Sequence, residues 1–151
     1  MAEFLTPYHP AVVHLPIALL LTAVAADVLG KALDWGDRAR SFSWRCLGLG
    51  LLGALLSAPL GYWDMLRFHH SIEPAVEDQV HWHMYVGFAL AVFAALVWVL
   101  RFVAYERPKR PLALPYLVTA LIAAALVLYQ GWLGGELVFS HGVGVKTSSE
   151  I

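Results

Sequence analysis

Two histidines and two prolines stand at the mouth of the first apolar run, His9-Pro10-Ala11-Val12-Val13-His14-Leu15-Pro16. A titratable side chain at membrane depth is costly, so its presence is by default a pointer to function. His14 lies one helical turn into the run, about 6 Å deeper than Pro10 at the α-helical rise. An imidazole there needs a partner: another polar group, a metal or a haem iron. On its own face His14 is followed by Ala18, Thr22 and Ala25, and in the third apolar segment His83 is followed by Gly87, Ala91 and Ala94. Two histidines, each heading a stripe of small residues, leave room for a flat macrocycle between helices, with His14 and His83 as the axial pair. Small stripes also serve as close-packing surfaces. One such stripe, Gly50, Ala54, Ser57 and Gly61, carries no histidine. A mononuclear metal site using three of His9, His14, His83 and His141 is a further alternative.

These side chains must be positioned by membrane helices. The 151 residues are 60% hydrophobic and 14% charged, with mean hydropathy +0.66, well outside the soluble range. Apolar segments near 11–29, 46–63, 84–100 and 112–133 each approach the ~20 residues that cross a bilayer. Because spanning backbone must satisfy itself, the expectation is one all-α, four-helix membrane domain over 1–151. Its helices fall at about 10–29, 45–63, 74–103 and 112–133, followed by an outer loop over 134–151. Ser71 and Pro74 suit the start of the third helix, as do Glu77 and Asp78 at its positive end. His81 and His83 then lie roughly 200° apart, so only one of them faces the bundle. Cys46 is the single cysteine, which excludes a disulfide framework and a Cys-based metal site. A net charge of −1 with no large basic patch excludes a nucleic-acid partner. The N-terminus lacks the basic region of a cleavable signal peptide, so the first apolar segment is expected to stay.

Four spans put both termini and the central loop on one side. That side carries Arg67 and Lys146; the other carries Lys31, Arg38, Arg40, Arg45, Arg101, Arg107, Lys109 and Arg110. Eight against two predicts that the termini face out, into the periplasm of a bacterial inner membrane. All seven histidines (9, 14, 69, 70, 81, 83 and 141) fall on that outer side, with Asp64, Glu73, Glu77, Asp78 and Glu136. Aromatics flank both ends as an interfacial belt, Tyr116 and Trp98 among those inside.

Asp64, just past the second apolar segment, reads either as a carboxylate orienting an imidazole or as a solvated helix end. Gln130, near the end of the fourth, suits a hydrogen bond across the bundle. The glycines of Gly131-Trp132-Leu133-Gly134-Gly135-Glu136-Leu137-Val138-Phe139-Ser140-His141-Gly142-Val143-Gly144-Val145 are expected to end the helix. Its apolar residues would then fold a loop over the outer mouth and bring His141 to the other histidines.

This segment and the His9-Pro10…Val13-His14-Leu15-Pro16-Ile17 motif resemble a family of bacterial membrane proteins catalogued as domain of unknown function 2231. Pro59-Leu60-Gly61-Tyr62-Trp63-Asp64 and His83 also fit its pattern, and the resemblance covers essentially the whole chain. Leu15 stands where the family usually has Phe, and Phe139 where Tyr is common; neither change removes a ligand. The resemblance implies a four-helix membrane domain. Some members are joined to Rieske or cytochrome domains, which points by association to electron transfer.

The reading is a b-type haem protein carrying electrons at the periplasmic face, an electron carrier more than a stand-alone enzyme. His14, His83, His9, His141 and Gly87 form its site. Quinol, a periplasmic cytochrome or Rieske-type protein, and other membrane subunits of a respiratory or photosynthetic assembly are the partners to expect. The alternative is a structural or assembly subunit without cofactor. No nucleophile, phosphate loop or metalloprotease motif appears.

Overall fold

A computed structural model describes residues 8–68, 72–105 and 114–145. They form four helices: α1 (His9–Ala32), α2 (Gly36–Phe68), α3 (Glu77–Tyr105) and α4 (Leu114–Phe139). All four are long and apolar enough to cross a membrane. They stand in a ring in which α1 and α3 each lie between α2 and α4. The start of α1, the end of α2, the start of α3 and the end of α4 therefore share one end of the bundle, labelled the outer end for the side on which the charge asymmetry is expected to put it.

The first two helices pack closest, and the cause is a row of small residues. A methyl on Gly30 would meet the Cβ of Ala39 at 2.5 Å. One on Gly53 would meet the Pro16 ring at 2.9 Å, and one on Gly50 the Leu20 side chain at 3.0 Å. This is the close backbone approach that small residues permit between membrane helices. The connection is short, with Asp34 (φ 51°) and Gly36 (φ 62°) both left-handed. The core between the ends is purely apolar, built on Leu20, Ala23, Leu47, Ala94, Val97 and Val127.

Most boundaries shift by a few residues from the sequence reading, and three of the shifts have a clear cause. The second helix starts nine residues before 45, because its first turns are polar and project past the apolar segment. The third begins at Glu77, since residues 74–76 form a turn in which the Val76 N–H donates to the Glu73 carbonyl (2.9 Å). The expected loop from 134 is corrected: α4 runs through Gly131, Gly134 and Gly135 to Phe139. Its hydrogen bonding ends only where Gly142 turns left-handed (φ 64°) and the Val143 N–H folds back to the Leu137 carbonyl (2.9 Å). Ser71, His69 and His70 lie outside the described residues.

Candidate functional site

At the outer end one polar side chain or carbonyl from each helix converges. His9, the first residue of α1, donates its backbone N–H to Asp64 Oδ2 on α2 (2.8 Å). The carboxylate thus caps a helix start, where a free N–H and the positive end of the helix dipole both favour it. Asp64 is buried, so it is not a solvated helix end. The His9 ring pairs through Nδ1 with the Ser57 carbonyl (2.8 Å). A carbonyl only accepts, so Nδ1 carries the proton and Nε2 of the neutral ring keeps its lone pair. Gly61 makes room for this ring: a methyl there would lie 2.9 Å from Nδ1.

His83 reaches the same centre from the opposite helix. Its ring meets that of His9 edge to face, with centroids 6.0 Å apart and planes at 88°. The Gln130 amide on α4 donates to His83 Nε2 (3.1 Å) and to the His83 carbonyl (3.0 Å). His83 therefore has the same tautomer as His9, with its proton on Nδ1 and its lone pair on Nε2. Nδ1 is buried without a partner, as are Gln130 Oε1 and Asp64 Oδ1, although Arg67 stands 4.0 Å from the last. Gly87 faces Gln130 Nε2, 3.1 Å from where its Cβ would be, and Gly134 likewise faces His83 Cε1 at 3.2 Å. The Gly87 surface is thus occupied by the Gln130 amide.

His14 is a correction. It lies five residues after His9, about 140° around the helix, and its ring is exposed, tied through Nδ1 to the Pro10 carbonyl one turn back (2.8 Å). Ala18, Thr22 and Ala25, which share its face, are exposed as well. The buried face of α1 instead carries Pro16, Leu20, Ala23 and Asp27, and His9 stands on it. The structure pairs His83 with His9, not with His14. His141 is exposed beyond the end of α4, and His81 leans on Tyr85 (6.5 Å) rather than on the centre. Among the described residues no three His, Cys, Asp or Glu side chains gather to hold a metal ion. The three-histidine alternative is therefore not assembled.

Residues 5–147 fit the family model DUF2231, described as a predicted membrane protein. The chain belongs to the DUF2231 family. No curated protein and no solved structure matches it.

This DUF2231 chain has a second polar cluster, at the inner end, that sequence reasoning misses. Arg101 on α3 is 1% exposed and donates through Nη2 to Asp27 Oδ1 on α1 (2.9 Å) and to the Arg40 carbonyl on α2 (3.3 Å). Tyr116 on α4 donates its hydroxyl to Asp27 Oδ2, and its ring lies under the guanidinium at 5.4 Å. Tyr116 is thus a buried cluster member and not a belt aromatic, whereas Trp98 stacks on Trp44 (5.1 Å). The signal that could have found the cluster is Asp27, a carboxylate inside an apolar run.

Proposed function

We propose that this protein is a b-type haem membrane protein that carries electrons at the outer end of the bundle, with His9 and His83 as the axial pair. One observation carries the reading: the two imidazoles meet across the bundle from opposed helices, 6.0 Å between centroids, each with its proton on Nδ1 and its lone pair on Nε2. His9 and His83 are the imidazoles that would hold the haem iron. The Ser57 carbonyl fixes the His9 ring and its tautomer, as an outer partner does for a ligating histidine. Gln130 blocks the His83 lone pair in the arrangement seen, so its amide must swing aside to open that nitrogen and the Gly87 surface. Bound there, haem would supply one-electron chemistry close to the membrane boundary.

The charge asymmetry supports a bacterial inner membrane with both termini periplasmic, where quinol is a fitting donor. A periplasmic cytochrome or Rieske-type protein, alone or within a larger assembly, is a fitting acceptor. A reporter active only in the cytoplasm should work when inserted near Arg107 and fail at Ile151.

A second reading, a structural subunit without cofactor, is favoured by one specific observation. The two hydrogen bonds from Gln130 already close the cluster around His83. The absorption spectrum of protein purified from haem-replete cells, oxidised and then reduced with dithionite, separates the two. Sharp reduced α and Soret bands, lost in His9→Ala and His83→Ala but kept in His14→Ala, are expected. A colourless preparation would leave the structural reading.

A further inference from the structure

The inner end holds a cavity that the outer site does not use, and its chemistry is independent of the haem reading. The cavity, about 350 Å³, has Arg101 and Asp27 in its wall, together with Lys31, Asp34, Gly36 and Asp37 around the turn between α1 and α2. That volume is within the range of small-ligand sites, roughly 300–1,000 Å³. Arg101 is fully buried, yet its Nε and Nη1 donate to nothing, while both oxygens of Asp27 are taken. Behind this wall the guanidinium keeps N–H groups without an acceptor while both Asp27 oxygens are engaged, a balance that favours a ligand bringing acceptor oxygens. The first turn of α2, which starts at Gly36, adds N–H groups with no intrahelical acceptor, an arrangement that favours an oxyanion.

The rest of the lining narrows the class. Lys31, Arg40 and Arg101 are matched by Asp27, Asp34 and Asp37. A lining of balanced charge, with Asp34 and Asp37 at its mouth, disfavours a plain anion; a group carrying both an oxyanion and an ammonium suits it. A second hollow, about 500 Å³, shares Ala26 and Ala39 with the first and is otherwise lined by Trp35, Arg38 and Phe42. Trp35 and Phe42 are exposed large hydrophobics. A polar cavity adjoining an apolar groove, at the end of four membrane-length helices, matches an amphiphile.

We propose that this cavity binds an amine–phosphate headgroup, as carried by an ethanolamine phospholipid. The phosphate lies toward Lys31 and the start of α2, in front of the Arg101 guanidinium, the amine toward Asp34, and an acyl chain runs along the Trp35–Phe42 groove. Native mass spectrometry tests this on the full chain, purified in detergent and exposed to an equal mixture of phosphatidylethanolamine, phosphatidylcholine and phosphatidylglycerol. Selective retention of phosphatidylethanolamine, about tenfold over the other two, is expected, the size of one charge-assisted hydrogen bond. Lys31→Gln and Asp34→Asn should each reduce it by a similar factor. Both positions are exposed, and Asn tolerates the left-handed backbone at Asp34, so folding is not at stake. Displacement by soluble phosphoethanolamine would assign recognition to the headgroup alone; retention despite it would assign the whole lipid. Equal retention of the three lipids, preference for phosphatidylglycerol, or unchanged retention in both variants would overturn the proposal.

Discussion

His9 and Asp27 stand on the same buried face of α1, eighteen residues and about 27 Å apart, and each anchors a polar cluster that ties all four helices together. The outer one is built from neutral groups: two imidazoles, an amide and a peptide carbonyl, with a carboxylate engaged in capping α1. The inner one is built on full charges, with Asp27 held by a guanidinium and a phenol. That difference teaches what each end is suited to do. A buried charge pair resists separation, because either partner left alone keeps its desolvation cost. A hydrogen bond between an amide and an imidazole gives up less when one partner is exchanged for another. The inner charge pair is the lock, and under the haem reading the outer cluster is where a ligand replaces a side-chain partner.

The largest effect should come from breaking the lock. Arg101→Ala leaves Asp27 ionised and buried with only the Tyr116 hydroxyl, and should destabilise the bundle by about 3–5 kcal/mol. Removing both charges, in Asp27→Leu combined with Arg101→Met, should recover most of that loss. Equilibrium unfolding in detergent or bicelles measures both. A single variant within about 1 kcal/mol of the parent would mean that the pair is not held in the low-dielectric interior.

At the outer end the corresponding effect is steric. Gly61→Ala places a methyl 2.9 Å from His9 Nδ1, where it competes with the bond to Ser57. Overpacking of this kind costs about 1–3 kcal/mol. It should also lower haem content, because His9 would lose both its place and its tautomer. A stability loss with unchanged haem per folded protein would remove His9 from the pair.

Gln130→Leu sharpens the choice between the two readings of the outer cluster. It strips the donor from His83 Nε2, so the haem-free protein should lose about 1–3 kcal/mol, the cost of a buried acceptor left unpaired. The same change unblocks the ligand position. Haem content at matched protein levels should therefore stay equal or rise. A fall in haem content in step with stability would mean that Gln130 supports the haem site and does not block it.

How much of this is legible in the sequence differs between the two ends for physical reasons. Four helices can be read because each apolar run is nearly as long as a bilayer is thick. The buried face of α1 is misread because a stripe of small residues, His14 to Ala25, marks lipid contact as readily as a helix interface. Asp27 corrects it, since a carboxylate must face the interior, and His9 lies on its side of the helix. Arg101 reads only as one of the basic residues of the inner side because it stands at the end of an apolar run. Nothing in the sequence says that Asp27, 74 residues away, is there to meet it. His83 and Gln130 are placed correctly by sequence, because both interrupt apolar runs at the outer end.

The smallest effect concerns the end of α4, where sequence and structure differ over the longest stretch. Glycine there reads as a stop, yet it also serves inside a helix where another group comes close. The structure separates these roles residue by residue. At Gly134 a methyl would lie 3.2 Å from His83 Cε1, whereas at Gly131 nothing lies within 4 Å. If α4 continues through both, Gly131→Ala should stabilise the protein by about 0.5–1 kcal/mol, since alanine removes chain entropy that glycine loses on folding. Gly134→Ala gains the same helical preference but must displace the imidazole, so the two should differ in sign or at least in size. Haem content should follow stability only at Gly134, because only that methyl touches a proposed ligand. If Gly131→Ala were destabilising, the helix would end near 131, and Gly134 would no longer be held against His83.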